Sequence, residues 1–462
     1  MSSLREHWGS KLGFIMAAIG SAIGLGILWK FPYVVGRNGG ALFFLSYLFC
    51  VIIVGLPLFI GELVLGRSAQ KAAVMAILHH EPNKTGWKIA AWLGVASSFL
   101  IMSFYSVIAG YGMSYILLSL NGFYQNLTLD QVSIVYERLS QSGPISLFWH
   151  FLFTLITAMI VFLGVRKGIE YWSKIMVKVF LILMLVLFLY SLTLPGFSKA
   201  VDFAFKVRFD QFSVSSFIEA LGLALFTLSL GQGIMISYGS YMSNKESIFK
   251  TSCIVAFSVV IVAGLSALTI FPVVFTFNVE PNSGPGLVFK TLPYLFAKLP
   301  SPMLISGAFF TLFVFTALTS AVPLIEVVAT NLMELCEIPR KKAVMIVAIG
   351  TFVFGIPSAF SNANITALKN WNEIYGMGFL ETIDHLVSTW IIPLAGLLTA
   401  VFVGWKVNKE VAFQQFCENQ ERKVLFLFWH FTIRYIVPAV STLILLQGSG
   451  VIDISKWLST SS

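Results

Sequence analysis

The sequence predicts an all-α polytopic membrane protein of eleven transmembrane helices, and three observations predict it. Of its 462 residues, 57% are hydrophobic and only 11% charged, which lies outside the range of soluble globular chains. Runs of about 20 apolar residues follow one another, each long enough to cross a roughly 30 Å hydrocarbon core. Two of these runs are broken by glycine, G-S-A-I-G-L-G at Gly20–Gly26 and L-S-L-G-Q-G at Leu228–Gly233. Each glycine costs a helix roughly 1 kcal/mol against alanine. In a bilayer, freed backbone groups are tolerated only where they line a cavity or are buried in protein. Broken segments at matching places in two halves of a chain mark a mid-membrane binding site between repeats.

The predicted spans are 12–36, 41–69, 88–120, 146–165, 168–194, 213–242, 248–276, 302–335, 342–360, 376–404 and 424–447. Spans one to five (about 12–194) and six to ten (about 213–404) make a 5+5 inverted repeat, each half opening with a broken helix, numbers 1 and 6. The extra helix at about 424–447 follows. The connections leave no room for a soluble domain, so residues 1–462 read as a single membrane transport domain. Arg5 and Glu6 precede the first span without a small-residue cleavage site, so it reads as a retained helix. The longer outer connections, around 121–145, 195–212 and 277–301, carry Pro, Gly, Ser and charge. Asn126 and Asn364 head glycosylation-type triplets of a kind common by chance.

The net charge of +9 does not point to nucleic acid. Lys and Arg gather at alternate connections, among them Arg67, Lys71, Arg166, Lys167, Arg340, Lys341 and Lys342. The positive-inside rule then puts the N-terminus in the cytoplasm, and the chain is expected in the cell membrane, which is the inner membrane if the cell is Gram-negative. Cys50, Cys253, Cys336 and Cys417 are too scattered for a metal cluster and read as separate thiols. The six His form no H-E-x-x-H or Ser/His/Asp set, which argues against an enzyme. No ring of pore-lining charge argues for a channel.

Several motifs, in order along nearly the whole chain, carry a resemblance. R-E-H-W at Arg5–Trp8, G-S-A-I-G-L-G at Gly20–Gly26, F-P-Y at Phe31–Tyr33 and N-G-G at Asn38–Gly40 fall in the first span. P-L-F-I-G-E-L-V-L-G-R at Pro57–Arg67, F-T-L-S-L-G at Phe226–Gly231 and T-A-L-T-S at Thr316–Ser320 follow. With these the chain resembles the neurotransmitter:sodium symporter family, on its bacterial amino-acid branch with the leucine-transporter-type fold. That fold is itself a type case of the broken-repeat rule, so rule and resemblance are not independent.

The resemblance implies secondary import of a neutral amino acid by alternating access, in a monomer or homodimer. Backbone at Ala22, Gly24 and Gly26 with the Tyr105 hydroxyl would hold the carboxylate, and backbone at Phe226, Thr227 and Ser229 the ammonium. The other reading of Gly24 and Gly26 is close helix packing through small residues. Monoamine carriers of the family have aspartate where this chain has Gly24, so glycine favours amino acids. Ile101, Phe226, Ser229, Gln232, Ser320 and Leu324 would surround the substrate side chain. Gln232 bonds either the substrate or the loose backbone beside it. Lys30 and Asp384 would form an outer ion pair above Phe226 and Tyr105. Arg5 with Glu334 would form the inner one, amid Trp8, Ser240 and Tyr241, unless Glu334 is a solvated loop carboxylate. Glu62 would bond the unwound sixth helix.

Three departures qualify that picture. The second sodium position keeps carbonyls of Gly20, Ile23 and Thr316 and hydroxyls of Thr319 and Ser320, so one Na⁺ is expected. At the first position, Ile27 and Val259 stand where the family has oxygen ligands, and a desolvated Na⁺ would lack compensation. Tyr47 is kept, but Leu223 and Ala263 replace polar groups of the chloride-type position, so no chloride is expected. In the fifth helix, Lys178 stands ten residues after Gly168, where the family has proline. An intramembrane lysine is by default a functional hypothesis. Lys178 could replace sodium as the bound cation and carry H⁺, snorkel to the interface, or pair elsewhere. Proton-coupled or cation-independent transport or exchange through Lys178 is the alternative reading, and a non-transporting amino-acid sensor the alternative from another class.

Overall fold

The computed structural model describes residues 6–122, 127–243, 246–281, 284–417 and 423–449. Among them, nine helices are long and apolar enough to cross a membrane: Ala41–Ala69, Lys88–Leu120, Gly143–Phe162, Val165–Ser191, Ile248–Thr276, Pro302–Cys336, Arg340–Ala359, Phe379–Trp405 and Lys423–Gly448. Two shorter apolar helices, Lys11–Ala22 and Val214–Thr227, end at the glycine-rich stretches. The helix ends lie within three residues of the sequence expectation. The connections carry shorter helices of their own, including Ala73–His80, Leu129–Gln141, Phe197–Phe205 and Thr366–Tyr375.

Both interruptions have a local cause. After Ala22 the backbone leaves the helix at Ile23 (φ −84°, ψ 87°) and runs extended at Gly24, and a helix resumes at Leu25–Trp29. After Thr227 the chain takes positive φ at Ser229 (53°), Gly231 (70°) and Gly233 (71°). No right-handed helix passes three such residues, and glycine adopts that conformation without a Cβ clash. The helix resumes at Ile234–Gly239. Elsewhere proline widens helices without stopping them. The π turns Val51–Gly55, Leu287–Thr291, Val387–Ile391 and Thr432–Ile436 each stand just before a helix with proline near its start, at Pro57, Pro293, Pro393 and Pro438. Proline lacks an N–H and crowds the carbonyl four residues back, and a wider turn relieves both.

Pro302–Cys336 is central, with 83% of its most apolar window buried, whereas Val165–Ser191 and Lys423–Gly448 are peripheral at 33%. It runs along Lys88–Leu120, and Lys11–Ala22, Leu25–Trp29 and Ile234–Gly239 pack beside it. Lipid tails are as apolar as leucine, so helix association in a membrane relies on close contact through small residues. Gly239 shows this: a Cβ there would lie 2.8 Å from the Leu63 carbonyl oxygen.

Candidate functional site

The two interruptions meet and are stitched by hydroxyls. Ser229 Oγ donates to the Ser21 carbonyl at 2.9 Å, and Ser21 Oγ donates to Ser229 Oγ at 3.2 Å. Glu62, buried in the second span, accepts from the Gly231 N–H at 2.8 Å. The amide that helix unwinding frees therefore has a side-chain carboxyl oxygen as acceptor, as expected of Glu62. Ser98 Oγ donates to the Gln232 carbonyl at 2.8 Å. Leu25 N–H, at the restart of the first helix, donates to Tyr105 Oη at 3.4 Å.

The Ser320 hydroxyl lies 3.2 Å from the Gly20 carbonyl oxygen, 3.3 Å from that of Ser21 and 3.1 Å from that of Ile23. Thr319 Oγ1 is 3.0 Å from the carbonyl oxygens of both Phe315 and Thr316. Gly20 faces Thr319, since a Cβ on it would stand 2.8 Å from Thr319 Cβ. The structure thus brings Ser320 to the carbonyl oxygens of Gly20, Ser21 and Ile23, while Thr319, facing Gly20, bonds back to Phe315 and Thr316 in its own helix. The same glycine faces Val177, 2.9 Å from the same point. Lys178 follows one residue later on that helix, and a step of one residue turns a side chain by about 100°. Lys178 is exposed on the outer face. In this arrangement Lys178 does not face Gly20, where the alternative reading would need its ammonium. Ile27 and Val259 are both buried. Leu223 and Ala263 are buried as well, and Tyr47 Oη pairs with Thr227 Oγ1 at 2.8 Å.

A cavity of about 370 Å³ opens beside these oxygens, lined by Ala22, Gly24, Gly26, Ile101, Tyr105, Phe226, Thr227, Ser229, Gln232, Ser320 and Leu324. A Cβ on Gly24 would stand in van der Waals contact with Ser320 Oγ at 3.4 Å and 3.9 Å from Tyr105 Oη, so Gly24 lies beside both hydroxyls. The cavity extends to Lys30 and Asp384, and to Glu219, Ile444 and Gln447, which sequence reasoning missed. Lys30 and Asp384 line it without forming an ion pair among the described residues. Tyr105 and Phe226 make no ring contact there either.

The other end is shut. Trp8 is 6% exposed, its Nε1 donates to the Tyr238 carbonyl at 3.1 Å, and its ring meets Phe14, Tyr238 and Tyr241 edge-on. Tyr241 Oη donates to Glu326 at 2.5 Å, and Glu326 takes both Arg340 Nη1 (2.7 Å) and Nη2 (2.8 Å). Glu6 approaches the same guanidinium at 3.5 Å. Ser240 Oγ turns back to the Ser237 carbonyl. Arg5 lies outside the described residues. Glu334, its expected partner, accepts the Ala72 N–H at 3.0 Å on both oxygens, just before Ala73–His80. Glu326 had a legible signal, a carboxylate inside a long apolar run. Arg340, fourteen residues on and across a turn, had none.

The comparisons with known proteins agree with this geometry. The chain matches the sodium:neurotransmitter symporter family over residues 5–137 and 123–456. It is 36% identical over 448 residues to YhdH, a sodium-dependent transporter of Bacillus subtilis, covering 97% of this chain and 98% of that one. A sodium-dependent transporter of Haemophilus influenzae is 30% identical over 454 residues, covering 96% and 98%. Among solved structures, MhsT in complex with L-phenylalanine superposes with a TM-score of 0.88 at 35% identity, covering 96% of this chain and 100% of MhsT. The chain belongs to the sodium:neurotransmitter symporter family and is a multi-pass membrane transporter, not an enzyme.

Proposed function

We propose that the protein imports a neutral amino acid with one sodium ion, by alternating access between the Lys30 end and the Trp8 end. The convergence of three carbonyl oxygens on the Ser320 hydroxyl carries this reading. A hydroxyl donates one hydrogen, so it satisfies one of them at a time. A sodium ion, as co-substrate, would use all three, together with Thr319 Oγ1 and the Thr316 carbonyl. The naming of the two relatives as sodium-dependent transporters supports sodium, and the phenylalanine in MhsT supports an amino acid.

The amino acid would place its carboxylate against the Leu25–Gly26 amides and Tyr105 Oη, where the resumed helix presents its positive end. Its ammonium would face the carbonyls of Phe226, Thr227 and Ser229, at the end of Val214–Thr227. Ile27 and Val259 put hydrocarbon where two oxygen ligands of the first sodium position would stand, which supports a single ion. Leu223 and Ala263 support transport without chloride. Arg166, Lys167, Lys341 and Lys342 are exposed near the Trp8 end, which supports a cytoplasmic placement of that end and of the N-terminus. The two short helices with their continuations would complete eleven spans in two inverted repeats, 12–194 and 213–404.

Uptake of labelled amino acids into proteoliposomes under an imposed Na⁺ gradient, and separately a pH gradient, tests the proposal. Uptake should follow sodium, survive Lys178→Ala and fall at least tenfold in Ser320→Ala. Uptake that follows the pH gradient alone would overturn sodium coupling. Binding without accumulation would make the protein a sensor.

A further inference from the structure

We propose that Gln232 reads a hydrogen-bonding group at the far end of the substrate's side chain. The site would then select neutral amino acids bearing a hydroxyl, amide or indole N–H over their hydrocarbon counterparts. The inference rests on the amino-acid reading above and adds a substrate class to it.

Gln232 lines the cavity and is only 5% exposed. Its main-chain carbonyl is taken by Ser98, yet its side-chain amide has no hydrogen-bond partner among the described residues. A buried amide carries two donors and an acceptor that need partners. In the open cavity water can serve. A substrate that displaces that water with hydrocarbon leaves the amide stranded, and one that brings a hydroxyl or N–H replaces the lost bond.

The backbone holds this amide in place. The Gly231 N–H before it is fixed to Glu62 at 2.8 Å, its own carbonyl is fixed to Ser98, and Gly233 after it is locked at φ 71°. The side chain thus belongs to a tethered stretch and lines the same cavity as the apolar Ile101, Phe104 and Leu324. Ser98 precedes Tyr105 by seven residues on Lys88–Leu120, about 10 Å of helix rise. With the carboxylate at Tyr105, Gln232 meets the opposite end of the substrate. Tyrosine, tryptophan and glutamine carry a polar group at that end, whereas phenylalanine and methionine match them in size without one.

The test is sodium-dependent binding to the purified full chain, comparing tyrosine with phenylalanine and glutamine with methionine. Wild type should prefer the polar member of at least one pair by about tenfold or more, as expected where a site's buried polar group is left unpaired by the wrong ligand. Gln232→Met, which keeps the length of the side chain, should bring that ratio near one. Wild-type ratios within twofold of one for both pairs would overturn the inference, as would a preference that Gln232→Met leaves unchanged. Absence of binding by every amino acid would overturn the amino-acid reading itself, a separate outcome.

Discussion

At the Trp8 end, Arg340 and Glu326 lie in two-point contact at 2.7 and 2.8 Å, with Glu326 fully buried. At the Lys30 end, Lys30 and Asp384 line the same cavity, both exposed and not in ion-pair contact. Both ends hold a cation, a carboxylate and aromatic rings, but only one has brought them together. The difference lies in what each arrangement costs to change. An exposed pair contributes about 0–1 kcal/mol, so it can form and break with each cycle. A buried pair that loses one partner leaves an uncompensated charge, at about 3–5 kcal/mol. The closed end therefore has to open as a unit, with Trp8, Tyr241 and Arg340 gaining water together.

The largest expected effect is at the buried pair. Glu326→Gln should leave Arg340 with Glu6 as its one nearby carboxylate and the Val161 carbonyl as acceptor, and weaken the closed end by about 3 kcal/mol. A cysteine introduced at the buried Ser237 should then react faster with a membrane-impermeant thiol reagent, and an unchanged rate would mean that the ion pair does not hold this end shut.

A smaller, graded effect comes from pH. His80 closes the helix Ala73–His80 and pairs with Ser68 Oγ at 2.9 Å. Burial, aided by the neighbouring His79, pushes its imidazole down from 6.5 to about 4. The folded state thus takes up the proton less readily than the unfolded chain. The contribution to stability is full above pH 6.5 and is lost as pH falls toward about 4. Thermal unfolding in detergent should show this loss, and His80→Asn should flatten the curve between those limits.

The smallest effect on stability belongs to the open end. Asp384→Asn should move it by no more than about 1 kcal/mol. Sodium-driven uptake should still slow markedly if the Lys30 pair forms only on closure, whereas unaltered uptake would remove the pair from the transport cycle.

The contrast between the ends also marks how far the sequence could be read. Trp8 sits in a motif, Lys30 lies between the Gly20–Gly26 and Phe31–Tyr33 motifs, and their places along the bundle, like that of Asp384, follow from counting along apolar runs. Glu334 was legible as an acid near the inner end, but its bond to the Ala72 N–H was not, because Ala72 lies 262 residues earlier in the chain. Lys178 was legible as an anomaly, and only the rotation of its helix shows that Val177, not Lys178, faces Gly20.

What the sequence determined by itself is what depends on near neighbours and on solvent. Apolar runs of membrane length make spanning helices, because a bilayer demands internal backbone bonding. Glycines at 231 and 233, with Ser229, end a helix through their own dihedral angles. The tertiary structure alone decided the meetings between distant helices: three carbonyls on Ser320, Glu62 on Gly231, Arg340 on Glu326. The physical reason is that a hydrogen bond is made or lost over a few tenths of an ångström. Helix rotation and depth set distances on that scale, and they emerge only when all the helices pack at once.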